Sequence, residues 1–509
     1  MEKNMYEYSN PVIPGFNPDP SICRVGEDFY LVTSSFEFFP GVPVYHSRNL
    51  VNWELIGYCL TRKEQLPLDD CQSSRGIYAP AIRYHDGIFY MTTTNTHLKA
   101  DGKRYGNFIV HTKDIKGPWS DPVWVDQGGI DPSLLFTDGK VFFCSNAGMP
   151  DDEKGIYVCE VNPLTGEKLT PSRLISKGCT GKCTEAPHIY KINNMFYLML
   201  AEGGTSYGHM AVIQRSRDIY GPYESCPNNP ILSNVKLHRF PVQAIGHADL
   251  IQDSNGNWWA LCLGIRLLAT QLRHLLGRET FLVPVRWENG WPVAGEDGTV
   301  SLKMSGPLPA QPRPQCFDIK ENFLNDQISL NWNYVRNPDL SCYRLKDGCI
   351  NLYAGVQGLS DKSPVFMGVR QQSFFIESTA KIKTGMQKGT RAGITAFLNE
   401  DYHYDLALEK RSDGLYVIVN RRVHDFEALS FQALLPACEE VELRITADEY
   451  FYYFGYNCKD TDWQSAGKAM TAGLCAEGTH SGCFTGVYIG LYSCGGKASF
   501  SEFSLINQM

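Results

Sequence analysis

The sequence predicts an all-β protein in which a five-bladed β-propeller is followed by an antiparallel β-sandwich. Helical periodicity is nearly absent from the first 300 residues, a strand signature recurs five times there, and strands without that signature follow a proline-rich stretch. Each copy of the signature is a turn pair followed by an apolar strand, and its anchors are Phe29, Phe89, Val141, Phe196 and Trp258. A repeat of about 50 to 60 residues has room for four short strands, which is the content of one propeller blade.

A column of equivalent positions lies 10 or 11 residues before the five anchors. It reads Asp19, Ala79, Asp131, Glu185 and His247. Because equivalent positions on the innermost strands of a propeller converge on its axis, we expect the three carboxylates to face one cavity. Convergent carboxylates perturb one another's pKa values and mark a functional site more often than a structural one. The alternative is that the Asp-Pro pairs only open turns, which the shared phase of five repeats disfavours.

The stretch from Ser305 to Pro314 is proline-rich and stiff, and it predicts a linker over residues 305–315. The propeller then covers residues 1–304 and a concanavalin-like sandwich covers residues 316–509. Strands such as AGITAFL, YDLALE and VELRITA alternate with turns in this second part. We expect the sandwich mainly to pack against the propeller, with sugar binding as the alternative. Phe484 is its candidate for reaching the cleft, although an apolar strand position more often belongs to the core.

Composition narrows the class of partner. The 509 residues carry a formal net charge of −8, which disfavours nucleic acid. The longest strongly apolar run is far too short for a membrane span, and the first residues lack the apolar core of a signal peptide, so we expect a cytoplasmic protein without a membrane partner. The 17 cysteines are scattered, as expected of reduced thiols. Cys179, Cys183 and His188 have metal-like spacing, but no fourth ligand follows, and a glycine-rich loop is favoured over zinc.

Three carboxylates in one cavity permit glycoside hydrolysis. The reaction needs one carboxylic acid to protonate the leaving oxygen and one carboxylate to attack carbon or to activate water. Carboxylates on different blades would be well separated, which leaves room for a water and favours inversion. A third carboxylate would keep the acid protonated near neutral pH. The order of the residues along the chain does not assign these roles.

Seven motifs in order resemble glycoside hydrolase family 43, the β-xylosidase and α-L-arabinofuranosidase group. They are NPVIPGFNPDPSI, SSFEFFPGVPVYHSRNLVNW, YAPAIRY, IDPSLLF, TEAPHIYK, GHADLI and LGRETFLVPVRW. The resemblance spans the whole predicted propeller, and the second domain is similar to the sandwich of that family's xylosidases. It implies Asp19 as general base, Glu185 as general acid, and Asp131 as the residue that tunes the pKa of the acid and orients it.

The resemblance also implies substrate-binding residues. Arg278 would contact sugar hydroxyls or a carboxylate at the cleavage subsite, with a surface ion pair as its alternative. Phe36 and Tyr78 would form apolar walls against the face of the sugar. The alternative for these two aromatic residues is ordinary packing within the propeller. Family xylosidases often carry Trp at the place of Tyr78, which leaves the preferred sugar open.

His247 is the candidate metal residue of the column. Relatives can hold calcium near this histidine through waters, although calcium prefers oxygen ligands. A buried, hydrogen-bonded histidine without an ion is the equal alternative, and no cofactor is required for the predicted reaction.

These expectations favour an inverting, exo-acting β-xylosidase that removes terminal xylose from xylo-oligosaccharides. An α-L-arabinofuranosidase or a bifunctional enzyme is the first alternative. A catalytically silent sugar-binding propeller is a remote one, because all three carboxylates are present. The partner is an oligosaccharide substrate, and assembly into homo-oligomers is left open.

Overall fold

A computed structural model describes residues 5–146, 153–180, 182–237, 240–269, 271–458, 462–480 and 482–508. The described residues form strands, three short 3₁₀ helices and no α-helix, so the all-β prediction is confirmed. The 3₁₀ helices are Leu340–Cys342, Thr471–Leu474 and Ala476–Gly478. No helix in these ranges is long and apolar enough to cross a membrane, and no disulfide joins cysteines within them.

Five four-stranded antiparallel sheets, here named sheets I to V, follow one another along the chain, each with its strands in chain order. Sheet I contains Ser21–Val25, Asp28–Val32, Gly41–Ser47 and Glu54–Leu60. Sheet II contains Ala81–His85, Ile88–Leu98, Arg104–Thr112 and Val123–Val125. Sheet III contains Ser133–Thr137, Lys140–Asn146, Ile156–Glu160 and Arg173–Ser176. Sheet IV contains Glu185–Ile192, Met195–Glu202, Met210–Ser216 and Glu224–Ser225. Sheet V contains Val242–Gln252, Trp258–Arg266, Glu279–Glu288 and Trp291–Ala294.

The first strands of the five sheets contact one another in a closed cycle, I to II, II to III, III to IV, IV to V and V back to I. Each anchor of the repeated signature lies on the second strand of its sheet. Each column position lies in the first strand of its sheet or two residues before that strand begins. Apolar side chains fill the spaces between neighbouring sheets. The repeat in the sequence therefore corresponds to one sheet, and the column lies where the five sheets meet.

The two ends of this sheet region are joined. The strand Tyr6–Ser9 pairs with Lys303–Gly306, and the side-chain amide of Asn10 donates to the carbonyl oxygen of Leu282 in sheet V at 3.0 Å. The segment that precedes sheet I is thus fastened to the segment that follows sheet V.

The second part of the chain forms two further antiparallel sheets. The larger sheet has the order Tyr343–Lys346, Cys349–Tyr353, Lys497–Gln508, Phe375–Lys383, Glu440–Ala447, Phe451–Cys458 and Gln464–Met470, and Ile319–Glu321 also pairs with Lys497–Gln508. The smaller sheet has the order Val365–Arg370, Tyr488–Cys494, Arg391–Asn399, Tyr402–Lys410, Leu415–Val423 and Phe426–Leu434. The strands predicted from AGITAFL, YDLALE and VELRITA are all present. Phe484 is not in a strand.

The two parts meet at a buried interface. The short strand Phe38–Phe39 pairs with Tyr334–Val335. A side chain on Gly486 would place its Cβ only 2.3 Å from the carbonyl oxygen of Leu276. Glycine at position 486 therefore lets the segment that contains Phe484 and Gly486 approach the backbone that leads to Arg278.

Glu37 connects the interface to Phe484. Its Oε2 accepts a hydrogen bond from the backbone N–H of Ser74 at 3.0 Å, and the Ser74 hydroxyl oxygen accepts from the backbone N–H of Phe484 at 3.0 Å. Burial raises the pKa of Glu37 from 4.5 to about 8, although Arg336 opposes the shift. Glu37 consequently keeps its proton at neutral pH.

We expect this buried glutamate to make the folded protein less stable as pH rises. Because its pKa in the folded state lies above the value in the unfolded chain, folding binds a proton between these values, and stability falls as pH increases from about 5 to about 8. One such group contributes up to about 1.4 kcal/mol per pH unit. Glu37→Gln should flatten this decline in the thermal midpoint relative to wild type. Glu64→Gln, at an exposed carboxylate, is the matched control, and an unchanged slope in Glu37→Gln would contradict the assignment.

Candidate active site

One cavity collects the eight residues that the sequence analysis proposed for catalysis, substrate binding or a metal at His247. Its volume is about 350 Å³. The predicted residues among its lining are Asp19, Phe36, Tyr78, Asp131, Glu185, His247, Arg278 and Phe484. The structure therefore brings together all eight candidates from sheets I to V and the second part of the chain.

Unusual backbone conformations direct the column side chains into the cavity. Asp19 and Asp131 each have φ of 55° and His247 has φ of 49°. A non-glycine residue in this left-handed region costs about 1–3 kcal/mol and is found preferentially at functional sites. In sheets IV and V the strand register also shifts beside Glu185 and His247, as in β-bulges that re-aim side chains.

Asp19 is held ionised by a buried cation. Arg278 Nη1 donates to its Oδ1 at 3.0 Å, and the Ser34 hydroxyl donates to its Oδ2 at 2.5 Å. Burial alone would raise the pKa of Asp19, but Arg278 and the other neighbours outweigh that effect and hold the pKa below its usual value. Asp19 is therefore an ionised carboxylate at neutral pH.

Asp131 and Glu185 form a pair with the opposite tendency. Burial raises the pKa of Asp131, and the neighbouring charges of Glu185 and Asp19 raise it further. Burial and Asp19 likewise raise the pKa of Glu185. The backbone N–H of Ala186 donates to Asp131 Oδ2 at 3.2 Å, which favours negative charge on Asp131. The pair titrates together, and mutual repulsion makes it retain a proton that Asp19 does not.

Arg278 is a buried part of the site. It is only 6% exposed, so the alternative of a surface ion pair is wrong. Besides Asp19, its Nη1 donates to the Thr205 hydroxyl at 3.0 Å. Its guanidinium carbon lies 5.5 Å from the ring centre of Phe36 and 5.3 Å from that of Phe484. The aromatic faces hold the guanidinium in place.

Three aromatic rings form one wall of the cavity. The ring centres of Phe36 and Tyr78 are 5.1 Å apart, and that of Phe484 lies 5.8 Å from Phe36 and 6.2 Å from Tyr78. Phe484 comes from the second part of the chain, in a segment without regular structure. The expectation that this part mainly packs is therefore incomplete, because it also supplies a residue to the cavity.

The surroundings of His247 do not fit direct coordination of calcium. His247 Nδ1 lies 3.6 Å from Asp19 Oδ1, a carboxylate already bound by Arg278 and Ser34, and calcium takes six to eight oxygen ligands. Within the described ranges no group of three His, Cys, Asp or Glu side chains is arranged to hold a metal. Water-mediated calcium near His247 stays a prediction, and we derive no catalytic step from it.

The zinc interpretation of Cys179, Cys183 and His188 likewise finds no support in the geometry. His188 Nδ1 accepts a hydrogen bond from Arg83 at 2.9 Å, and Cys179 Sγ lies 3.4 Å from the Ser225 hydroxyl oxygen. His188 and Cys179 therefore have other local partners, and the glycine-rich loop without zinc stays a prediction.

The sequence argument missed several residues that line or support the cavity. Those that line it are Arg75, Arg104, Thr205 and His209. Burial lowers the pKa of His209 to about 4, so its imidazole is neutral, and its Nδ1–H donates to the carbonyl oxygen of Ala244 at 3.0 Å. These residues lie outside the column, and no spacing rule in the sequence points to them.

A buried ionic network adjoins His247. Asp249 accepts hydrogen bonds from the Ser21 hydroxyl at 2.7 Å, from Arg83 at 3.0 Å and from the Tyr190 hydroxyl at 2.5 Å. These partners belong to sheets I, II and IV, and Asp249 belongs to sheet V. Although burial would raise its pKa, Arg83 keeps it well below the usual range. The network therefore ties four sheets together next to the cavity.

Two family models match the chain. The model described as glycosyl hydrolases family 43 matches residues 8–292. The model described as the β-xylosidase C-terminal concanavalin A-like domain matches residues 320–505. Together they cover the ring of sheets and the two-sheet region that follows it.

Named relatives resemble the chain over nearly its whole length. A non-reducing-end α-L-arabinofuranosidase of Bacteroides ovatus, BoGH43B, is 43% identical over 495 residues, covering 96% of this chain and 91% of its own. A xylosidase/arabinosidase of Butyrivibrio fibrisolvens is 38% identical, covering 80% and 81%. The crystal structure of a xylan β-1,4-xylosidase of Bacillus halodurans is similar with a TM-score of 0.91 and 30% identity, covering 98% and 100%. The chain therefore belongs to glycosyl hydrolases family 43 and is a glycoside hydrolase with a C-terminal concanavalin A-like domain.

Proposed function

We propose that this protein is an inverting, exo-acting β-xylosidase that releases terminal xylose from xylo-oligosaccharides. The observation that carries the proposal is the opposite displacement of pKa values in one cavity, downward for Asp19 and upward for Asp131 and Glu185. Hydrolysis of a glycosidic bond by inversion needs a carboxylate to activate water and a carboxylic acid to protonate the leaving oxygen. A cavity that holds both at neutral pH meets this requirement.

Asp19 is the general base in this proposal. Its low pKa keeps it ionised, and its contacts with Arg278 and Ser34 fix the orientation of the carboxylate. Water bound between Asp19 and the sugar would lose a proton to Asp19 as it attacks the anomeric carbon.

Glu185 is the general acid, and Asp131 sets its protonation. Both carboxyl groups have a raised pKa, Asp131 the more strongly, and they share a proton. We assign that proton to Glu185, because the hydrogen bond from Ala186 N–H stabilises the charged form of Asp131. The negative charge of Asp131 then keeps Glu185 protonated until the leaving oxygen takes the proton.

The size of the cavity supports an exo mode. A volume of about 350 Å³ is near the small end of ligand pockets, which suits one terminal sugar. Phe36, Tyr78 and Phe484 would pack on the sugar, while Arg278 would donate to its hydroxyls in addition to holding Asp19. The partner is the oligosaccharide, and the cytoplasmic location and the oligomeric state stay predictions.

The alternative is an α-L-arabinofuranosidase or a bifunctional enzyme, using the same residues on a furanose. The Bacteroides ovatus relative, named a non-reducing-end α-L-arabinofuranosidase, favours this alternative. The name of the Butyrivibrio fibrisolvens relative favours an enzyme that cleaves both sugars, and the name of the Bacillus halodurans relative favours a β-xylosidase.

The fold proposal accompanies the functional one. We propose that sheets I to V are the five blades of a propeller over residues 1–304, followed by the linker 305–315 and the sandwich 316–509. The cyclic contacts of the first strands support five blades, and the pairing of Tyr6–Ser9 with Lys303–Gly306 supports the first boundary. The predicted outer ends at residues 1 and 509 lie outside the described residues.

Side-by-side assays test the proposed activity. We expect a higher kcat/KM on p-nitrophenyl β-xylopyranoside than on p-nitrophenyl α-L-arabinofuranoside. Proton NMR of early turnover on xylobiose should show xylose released first as the α-anomer, because water attacks from the face opposite the leaving group. The reverse preference would establish the arabinofuranosidase, and release of the β-anomer would exclude inversion. If the protein bound xylo-oligosaccharides but hydrolysed none of these substrates, the result would favour a catalytically silent sugar-binding propeller.

Asp19→Asn should lower kcat at least about a hundredfold on every substrate, because an amide does not take the proton of water and general base catalysis contributes about 10²- to 10⁴-fold. Steady-state rates measure this, and a thermal midpoint near that of wild type checks the fold. Asp69→Asn, at an exposed carboxylate, is the control. Retention of more than about a tenth of the wild-type rate would remove Asp19 from the role of base.

The effect of Glu185→Gln should depend on the leaving group. A xylo-oligosaccharide leaves as a poor alkoxide and needs a proton, so its rate should fall about 10²- to 10⁴-fold. A dinitrophenyl glycoside leaves without protonation and should be slowed much less. If both substrates were slowed equally in a folded variant, Glu185 would not be the proton donor and Asp131 would be the next candidate.

A further inference from the structure

The active-site cavity has a buried end and an exposed end. At the buried end, Asp19 is 4% exposed, Arg278 6% and Asp131 8%. Glu185, the proposed proton donor, is more exposed than these three residues. In the proposed reaction the terminal sugar lies against Asp19, and Glu185 protonates the oxygen that joins this sugar to the rest of the substrate. The rest of the substrate, here called the leaving saccharide, therefore extends towards the exposed end.

The exposed end, or mouth, of the cavity carries positive charge. The exposed residues among the lining are Arg75, Arg104 and Cys183. Arg75 precedes sheet II, and Arg104 begins the third strand of that sheet. Because an exo-acting enzyme encloses only the terminal sugar, the leaving saccharide passes through this mouth and meets the two arginines.

Both guanidinium groups lie near the hydroxyl of Tyr78 in the aromatic wall. Arg75 Nη1 donates to this hydroxyl oxygen at 3.1 Å, and the hydroxyl in turn donates to the carbonyl oxygen of Ser74 at 3.2 Å. Burial raises the pKa of Tyr78, and the charges of Arg75 and Arg104 both oppose that shift. Two cations therefore lie at the polar edge of the wall, on either of which a bound saccharide can place an acceptor.

These two arginines have donors to spare. Among the residues that the structure describes, no carboxylate oxygen lies within 4 Å of the guanidinium of Arg75 or Arg104, whereas the exposed Arg48 pairs with Asp28. A guanidinium carries five N–H donors in a planar fork that matches the two oxygens of a carboxylate. The mouth can therefore supply charge-assisted hydrogen bonds to an anion on the substrate.

The charges of the cavity decide where on the substrate such an anion lies. The buried end contains the carboxyl groups of Asp19, Asp131 and Glu185, and these repel a negative group on the terminal sugar. The only charged side chains among the exposed lining residues described are the two arginines. An anionic group is consequently favoured on the leaving saccharide and disfavoured on the terminal sugar.

We propose that Arg75 and Arg104 recognise a carboxylate on the leaving saccharide, so that the preferred substrates are acidic oligosaccharides whose sugar next to the cleaved bond bears a hexuronic acid. This inference rests on the proposed hydrolysis and specifies its substrate class. It applies equally to a terminal xylose and a terminal arabinose, because the arginines contact the saccharide beyond Glu185.

A pair of substrates that differ only in charge tests the proposal. One is xylobiose with glucuronic acid α-1,2-linked to its reducing-end xylose, and the other is the methyl ester of the same trisaccharide. We expect kcat/KM at low salt to be about three- to tenfold higher for the acid, as for two solvent-exposed ion pairs. The ratio should approach one at about 1 M NaCl, where the Debye length is only about 3 Å. Equal values at low salt would overturn the proposal.

Inhibition by the leaving saccharide gives a test that does not depend on the terminal sugar. Glucuronosyl-α-1,2-xylose and its methyl ester are compared as inhibitors of whichever nitrophenyl glycoside, xyloside or arabinofuranoside, the full-length protein cleaves faster. The acid should have an inhibition constant about three- to tenfold lower than that of the ester. A preference for arabinofuranoside would thus change the proposed function and leave this comparison intact. If neither glycoside were cleaved, titration calorimetry with the same two saccharides would decide, and equal affinities would refute the inference.

Substitutions at the mouth locate the carboxylate. Arg75→Met and Arg104→Met should each lower the ratio of acid to ester, and the double variant should bring it to about one, since exposed ion pairs contribute separately. Arg104→Glu should reverse the preference. Arg344→Met, at an exposed arginine over the Tyr353 ring, is the matched control and should keep the wild-type ratio.

The ratio compares two ligands on one protein, so a general loss of activity in a variant does not obscure it. A preference for the acid that persists in the double variant would place the carboxylate elsewhere and contradict the assignment. Should a variant not fold, the comparison of acid and ester on the wild-type protein, at low and at high salt, still decides whether the leaving saccharide is recognised by charge.

Discussion

The buried carboxylate of Asp249 is the interaction on which the arrangement of the active site depends. It joins sheet V to Ser21, Arg83 and Tyr190 of three other sheets, and its own side chain is fully buried. Removing one partner of such a pair leaves an uncompensated buried charge and costs about 3–5 kcal/mol. Arg83 also holds His188, whose ring meets that of His247 edge-on at 6.4 Å. The network thus sets the positions of the first strands and, through them, of the column side chains.

The distribution of charge in the cavity follows from the position of Arg278, the buried arginine among its lining residues. Arg278 forms an ion pair with Asp19. Its charge also lowers the pKa of Asp131 and Glu185, but burial and the charges of neighbouring carboxylates outweigh it there. Three carboxyl groups of the same chemistry consequently acquire different protonation states. Geometry, and not residue type, separates the carboxylate with a lowered pKa from the two carboxyl groups with raised pKa values.

The second part of the chain completes the site. Phe484 packs on Phe36 and Arg278, and its backbone is held by Ser74 and, through Ser74, by Glu37. The glycine at position 486 lies against the segment that leads to Arg278. The cation and the aromatic wall therefore both depend on the contact between the two parts.

The sequence by itself determined the repeat, the strands of both parts and the column of Asp19, Asp131, Glu185 and His247, whereas Arg278, Phe36 and Tyr78 were implied by the resemblance to the family. It could do so because a repeated sheet places equivalent positions at equivalent points, and a column of carboxylates at one phase is visible in the chain. Only the tertiary structure decided that Ser34, Thr205 and His209 support the site, and that Phe484 lines the cavity rather than belonging only to the core. Contacts of this kind join residues up to several hundred positions apart and have no period in the sequence. The sequence also does not decide the protonation of Asp19, Asp131 and Glu185, because burial and the position of Arg278 in the folded protein set their pKa values.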